Sequence, residues 1–497
     1  MPNAPELESL MLDPNKNRHG VKCYCNLAGF RQELYHCFGN GKDTLMNLVD
    51  AMLSGPQARS FAELSLSPAF TRQWSSIYEV FDDAQINRKA LQQLFVKSIP
   101  KHSPSTRLIL AADATPITRP ESPTAADRTY VHVPNAPKGA KPVCPGWQFA
   151  TVVALPENPS SRTTILDNRR IRSGETAAQV VASQIGELAQ QLPADTVVTL
   201  DGGFGNASFV AASLRVPVCK LMRTAKNRTL YRPKPEATCK AGRPRLDGDP
   251  FTIRDCSTHG PPDDHWSGKD EKGQWIEVDC WNNLHFYRCR EASLTLIRVS
   301  RQNGPDTKRN PRVIWLIWHA APGQGENSTC DTGVHMTGRA KSASPSVALC
   351  DTIPSNALMP PLERIPHIYR LRYCIEHSYR FDKQNLLWTK PRLRTPEKFE
   401  IWTYIVSAVH NHITLAYEYH QDFRMPWANP ASEPSPEQVR RGLEGIIAQL
   451  GTPARPTLPR GKAPGRQKGA IITKAERFKT IWKSKKQDKE VQATIST

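Results

Sequence analysis

The sequence predicts an α/β chain: a mixed sheet with flanking helices, interrupted by a β-rich insertion, preceded by a helical N-terminal domain and followed by a basic tail. Three observations predict it. Between Arg107 and Leu221 apolar strand runs and helical segments follow one another in the order β, β, β, α, β, α, β. From Arg223 to Pro361 the texture changes to short strands between Pro- and Gly-rich loops. Arg460 to Lys489 holds eleven basic and two acidic side chains, the composition of a solvated, partly disordered arm.

Each element has its own justification. Residues 1–40 carry no clean periodicity. From Asp43 to Lys97 the reading is helical: Leu45, Leu48, Val49 and Met52 recur at i, i+3, i+4 and i+7, and Ile77, Val80, Phe81 and then Leu91, Leu94, Phe95 repeat that spacing. Pro100 to Pro104 reads as a linker. Arg107–Ala112 is a buried strand stopping at Asp113, Trp147–Leu155 and Thr163–Ile171 are strands, and Glu175–Leu192 is a helix with Val180, Val181, Ile185 and Leu188 on one face. Thr196–Leu200 is a second buried strand, stopping at Asp201-Gly-Gly-Phe-Gly, which lacks the glycine spacing of a nucleotide-binding loop. Phe209–Leu214 is helix-like and Val216–Leu221 strand-like. Gln274–Val278, Leu284–Tyr287, Leu294–Val299 and Val313–Trp318 make the β-rich part. Helices resume at Ile365–Leu387, Glu397–Tyr419 and Pro436–Leu450, the last capped by Ser435.

With 497 residues, the chain has room for about three domains at roughly 150 residues each. Its 66 Lys and Arg against 47 Asp and Glu leave +19, which favours a polyanionic partner. The 42 prolines, about 8% against an average of about 5%, indicate several stiff linkers. The acidic N-terminus lacks a secretory apolar core and no segment approaches the roughly 18 apolar residues that span a bilayer, so a cytosolic protein with reduced thiols is expected. His19, Cys23, Cys25, His36 and Cys37 lie close together but lack the Cys-x2-Cys spacing of zinc sites; buried thiols are the default there and a metal site the alternative.

The residues that carry chemistry follow the insertion. Tyr369, Arg372, Glu376 and Lys383 are spaced by 3, 4 and 7, which returns all four to one helical stripe. Alone, such a stripe is what any surface helix with i,i+4 ion pairs displays. Asp113 and Asp201, however, each follow a buried strand, and strand ends in open sheets border the crevice where ligands bind. Three gathered carboxylates repel one another, so hard divalent cations, Mg²⁺ or Mn²⁺, are their natural occupants. Two such ions suit phosphodiester chemistry.

On these residues the sequence resembles the DDE insertion-sequence transposases of the Tyr-Arg-Glu-Lys subgroup. The resemblance rests on Asp113-x-Thr115, Asp201-Gly-Gly-Phe and Tyr369-x2-Arg372-x3-Glu376-x6-Lys383, and extends over roughly residues 40–470. It implies a ribonuclease H-like core in which Asp113, Asp201 and Glu376 are catalytic and hold two Mg²⁺ or Mn²⁺ ions, while Tyr369, Arg372 and Lys383 bind DNA phosphates. The domain layout expected is an N-terminal segment (1–40), a helical DNA-binding domain (41–104), the first part of the core (105–222), the β-rich insertion (223–361), the second part with the Glu376 helix (362–425), a C-terminal helix (426–459) and the basic tail (460–497). The implied partners are double-stranded DNA, as terminal inverted repeats and target, and at least a second copy in the active complex, with a nucleoid-associated location. Trp275, Trp281, Trp315 and Trp318 are candidates for stacking on a flipped base, although strand tryptophans are more often core. Gly242-Arg-Pro-Arg and Pro464-Gly-Arg-Gln-Lys resemble minor-groove arms. The alternatives are a transposase-derived protein that only binds DNA and a related metal-dependent nuclease.

Overall fold

The computed structural model describes residues 14–101, 103, 106–133, 139, 142–235, 245–271, 273–303, 306–307, 311–322, 356–419, 427, 433–458, 469, 471 and 474–483, the side chains of 14–25 and 418–419 excepted. Helices α1 (Pro14–Cys37), α2 (Lys42–Ser54), α3 (Phe61–Leu64), α4 (Ser76–Asp83) and α5 (Arg88–Lys97) precede strands β1 (Ile109–Thr118), β2 (Thr129–His132), β3 (Val143–Ala154) and β4 (Thr164–Ile171). Then come α6 (Ala177–Ala189), β5 (Val197–Gly205), α7 (Ala207–Ala212), β6 (Cys219–Thr224), β7 (Thr229–Tyr231), β8 (Pro250–Thr252), β9 (Asp264–Lys269), β10 (Trp275–Phe286), β11 (Cys289–Arg301) and β12 (Val313–His319). The last helices are α8 (Ile365–Leu371), α9 (Cys374–Gln384), α10 (Pro396–Leu415), α11 (Pro436–Arg441) and α12 (Leu443–Leu450). The chain divides into two compact units, one of residues 1–184 with 370–497 and one of residues 185–369.

In the first unit β3 pairs antiparallel with β1 on one side and with β2 and β4 on the other. The β3 run is apolar nearly throughout, because both faces of this strand are covered. Helix α10 starts where Thr395 accepts a hydrogen bond from the Lys398 amide and Pro396 fixes the first turn. It lies on β4, and the Asn411 side chain bonds both the N–H and the C=O of Ile165, satisfying backbone groups that would otherwise be buried without partners. Phe399 and Trp402 of this helix and Trp388 before it are fully buried, each contributing about 1.5–3 kcal/mol of apolar burial. Arg440 on α11 donates to the carbonyls of Met52, Gly55 and Asn385, which end α2 and α9 and have no partner within their own helices.

The second unit holds a mixed sheet. β5 and β6 are parallel, and β6, β12, β11 and β10 follow in antiparallel pairs, with β9 and β7 on β10 and β8 on β7. The β-rich stretch thus continues the strand ladder from β6. The α/β class expected from the sequence is the class observed.

Several expectations change in detail. Residues 14–37 form a helix where no periodicity is legible; Gly20 and Gly29 interrupt its pattern and it carries no clear apolar stripe. The helical run 43–97 is four helices, since Gly55 and Ser60 end and restart it. Gln274–Val278 and Leu284–Tyr287 belong to one strand, β10, whose irregular register at Trp281–Phe286 includes Asn283 at φ 56°. Helix 436–450 is two helices meeting at Gly442, with Ser435 and Gln438 forming a capping box at its start. Gly242-Arg-Pro-Arg lies outside the described residues save for Arg245, and Pro464-Gly-Arg-Gln-Lys lies outside them entirely.

Candidate active site

β1 supplies two side chains to one face of the first unit's sheet. Leu110, Ala111 and Ala112 are fully buried, and the strand then carries Asp113 and Thr115, which alternation places on the same side. Asp113 lies inside β1, fifth of its ten residues, rather than beyond its end; its pairing partner is Thr151 of β3. The Asp113 carboxylate accepts a hydrogen bond from the Ala114 amide at 2.7 Å.

Helix α9 crosses this face. Lys383 donates to the Thr115 hydroxyl at 2.6 Å and to the Pro116 carbonyl at 3.2 Å. Tyr379 donates its hydroxyl to the Asp113 carbonyl oxygen at 2.9 Å. Glu376, one turn earlier, is paired with Arg372 at 2.8 Å, and the other arm of the same guanidinium stands 3.9 Å from the Asp113 carboxylate. Asp113, Thr115, Arg372, Glu376, Tyr379 and Lys383 are therefore gathered by β1 and by α9 with the turn that precedes it, segments far apart in sequence.

The stripe is not one continuous helix. α8 ends at Leu371, Arg372 and Tyr373 form a turn, and α9 begins at Cys374; Ile375 and Glu376 bond back three residues instead of four. A two-residue turn in near-helical conformation barely disturbs the side-chain phase, which is why the spacing still reads as one helix. Tyr369 lies on α8 in the second unit, three residues before Arg372.

The electrostatics follow from burial. Lys383 is pushed down to about 8 by burial, against the pull of Asp382 and Asp113, and its ammonium lies 5.6 Å from the centre of the Tyr379 ring. Burial first, then the Asp113 charge, pushes the Tyr379 phenol up, so it remains a donor at neutral pH. Tyr379 escaped the sequence reading, although it lies three residues after Glu376 and four before Lys383, on their stripe.

Asp201 lies in the second unit, within β5. Leu200 is the last residue of β5 in regular register with β6, and pairing resumes only at Gly205. In this gap the Gly203 amide donates to the Asp201 carboxylate at 2.9 Å, a local turn that fixes the side chain. Gly205 must be glycine, because a Cβ there would collide with the Arg223 carbonyl across the strand pair. The sequence expectation of a turn after a strand end becomes an irregular strand interior.

Other candidates fare differently. Trp281, Trp315 and Trp318 are buried, the first two stacked on each other with ring centres 5.7 Å apart, so these three are core and not base-stacking platforms; Trp275 is 38% exposed. Burial pushes the Cys37 thiol up to about 11, and His36 contacts Gln32. The side chains of His19, Cys23 and Cys25 lie outside the described residues. Among the described residues no three His, Cys, Asp or Glu side chains are gathered as a metal site, and no helix is long and apolar enough to cross a membrane.

Part of the basic tail is docked rather than free. Phe478 and Ile481 donate backbone N–H groups to the Pro123 and Arg128 carbonyls, the buried Arg128 guanidinium donates to the Phe478 carbonyl, Trp482 stacks on Tyr130 at 3.9 Å, and Lys483 reaches the Arg172 and Glu175 carbonyls. Ile481 makes a parallel bridge to Thr129 of β2.

The α/β fold thus places a carboxylate on β1 and a second on α9, with the Arg372 guanidinium between them and Lys383 beside them. The family model described as DDE superfamily endonuclease matches residues 33–281, half of the chain, and the chain belongs to that family. The matched span contains Asp113 and Asp201 and ends before Tyr369, Arg372, Glu376 and Lys383. The family is one of nucleases, and it implies DNA as the substrate. No curated protein matches the chain.

Proposed function

We propose that the chain is a transposase of the Tyr-Arg-Glu-Lys subgroup with a ribonuclease H-like core, which cuts DNA at the terminal inverted repeats of an element and joins the 3′-hydroxyl ends to target DNA. The observation that carries this reading is Arg372, which reaches both Asp113 and Glu376 while Lys383 occupies Thr115 on the same strand. The family match spans both aspartates, and the Arg372 contacts connect Asp113 to the helix that the match does not reach.

Carboxylate oxygens, partly exposed and already balanced by a cation, suit a hard divalent ion. Asp113, Asp201 and Glu376 are the residues that would hold two Mg²⁺ or Mn²⁺ ions. Bound there, such ions supply activation of the attacking water or 3′-hydroxyl and stabilise the leaving oxygen. The chain's own residues position the DNA. Arg372 offers a planar fork to a phosphate, Lys383 a point charge and Tyr369 a phenol. Tyr379 holds the Asp113 backbone against α9. The N-terminal helices and basic surfaces bind the repeats, and processing two ends calls for at least two copies, acting at the nucleoid.

The test is replacement of Asp113, Asp201 or Glu376 by Ala, assayed on repeat-ended DNA with Mg²⁺ or Mn²⁺. Each variant should lose end cleavage and strand transfer while retaining duplex binding; full cleavage by any one of them overturns the assignment. The family description, endonuclease, favours a second reading in which the cut ends are not joined. Incubating pre-cut ends with a supercoiled plasmid separates the two, because only a transposase yields joined products.

A further inference from the structure

Arg372 sits at the turn between α8 and α9, outside both helices, with a side chain only 15% exposed. One of its terminal nitrogens pairs with Glu376 and the other faces Asp113. Two carboxylates brought to one place from β1 and α9 need a compensating positive charge, and the guanidinium supplies one from within the chain. The Glu376 carboxylate is 41% exposed, so its ion pair is open to water and weak, of the kind that a doubly charged ion can displace. The pivot is suited to movement: Arg372 lies where helical hydrogen bonding is interrupted, and its long side chain can turn without unwinding either helix.

We propose that Arg372 is an internal counter-cation, occupying the place between Asp113 and Glu376 until a divalent ion enters and then turning to the DNA backbone. The inference rests on the metal-dependent reading above and adds an order of events to it. Cation loading releases the guanidinium, and the released fork grips phosphate. The ion and the DNA are thereby coupled through one side chain, each favouring the other, as linkage between two sites requires. A protein without its ion would hold DNA through the remaining basic surface alone, and a protein without Arg372 would bind the ion more readily but gain nothing from it in DNA affinity.

The experiment is Mn²⁺ titration of the full chain without DNA, followed by the paramagnetic resonance signal of free Mn²⁺, for the wild type and for Arg372→Ala, Arg372→Gln, Asp113→Ala and Glu376→Ala. A second measurement follows duplex binding by fluorescence anisotropy with and without Mn²⁺. Arg372→Ala and Arg372→Gln should each bind Mn²⁺ about three- to tenfold more tightly than wild type, and the Mn²⁺-dependent gain in DNA affinity should vanish in both. Unchanged or weaker Mn²⁺ binding in the Arg372 variants, with circular dichroism unaltered, overturns the proposal; Arg372→Gln, which keeps much of the side chain's bulk and hydrogen bonding, guards against a folding defect. If Asp113→Ala and Glu376→Ala bind Mn²⁺ as the wild type does, or if no form binds it, the metal reading itself falls. Loss of binding in those two with no gain in the Arg372 variants removes only the counter-cation role.

Discussion

The Nδ1 atom of His410 lies 2.7 Å from a carboxylate oxygen of Asp382, and neither side chain is more than 3% exposed. Asp382 precedes Lys383 on α9, and His410 stands on α10, where its other ring nitrogen is 3.1 Å from the Thr163 carbonyl. This pair pins the helix that bears Glu376 and Lys383 to the helix that covers β4. Replacing His410 by Ala leaves a buried, unpaired carboxylate and should cost about 3 kcal/mol, read from urea unfolding. A cost under about 1 kcal/mol would show that the pair does not anchor α9.

Tyr379→Phe removes only the phenolic hydroxyl, which donates to the Asp113 carbonyl and also bonds the Thr151 side chain. The Asp113 carbonyl then loses the hydrogen bond it accepts, at about 1 kcal/mol. Cleavage should slow several-fold with duplex affinity unchanged, because the phenol positions β1 and touches no phosphate in the proposed arrangement. Unaltered cleavage would remove Tyr379 from the site.

In the second unit Lys220 of β6 is wholly buried opposite His319 of β12, and its ammonium donates only to the Val216 carbonyl among the described contacts. Burial pushes Lys220 down to about 7 and, with the Lys220 charge, pushes His319 down to about 3. The unfolded lysine holds its proton up to about 10.4, so between about pH 7 and that value the unfolded state binds more protons and stability rises with pH. Lys220→Met should therefore stabilise the protein most below pH 7, by an amount on the order of a few kcal/mol, and the advantage should fade towards pH 10. Melting curves at pH 6 and 9 check it; a gain of equal size at both would refute the burial argument.

Ending the chain after residue 473 removes Phe478, Ile481, Trp482 and Lys483 from the edge strand β2. The Arg128 guanidinium loses one of its carbonyl partners, and β2 is left as an open edge. The shortened protein should melt at a lower temperature and associate as its concentration rises, by light scattering after size exclusion. Identical melting and elution would show the docking to be without consequence.

Much of this was legible because local patterns report local structure. The apolar run Arg107–Ala112 located the first half of β1, which continues through Asp113 to Thr118, and the 3, 4 and 7 spacing put Arg372, Glu376 and Lys383 where one stripe can meet it. What escaped has a physical reason in each case. The helix 14–37 has glycines and no clear apolar stripe, so no period betrays it. The break at Arg372–Tyr373 preserves the phase of the stripe. The stacking of Trp281 on Trp315 joins β10 to β12 across β11 and has no local signal. The docked tail is held largely through backbone carbonyls and amides, which every residue carries, so its composition read only as a charged arm. The division of Asp113 and Asp201 between two compact units is likewise a property of contacts, not of spacing.

The bridge from Ile481 to Thr129 gives the order of synthesis a role. β2 emerges from the ribosome early, yet the segment that meets its edge is made only after the whole of the second unit has been translated. While the second unit is being translated the first unit still lacks α9, α10 and that closing segment, so a product truncated there would carry β1 and Asp113 without the helix that brings Arg372 and Glu376. Such a fragment has neither the second carboxylate that α9 brings beside Asp113 nor the Arg372 guanidinium that stands between the two, so this cluster of charges is completed only once translation has passed the second unit.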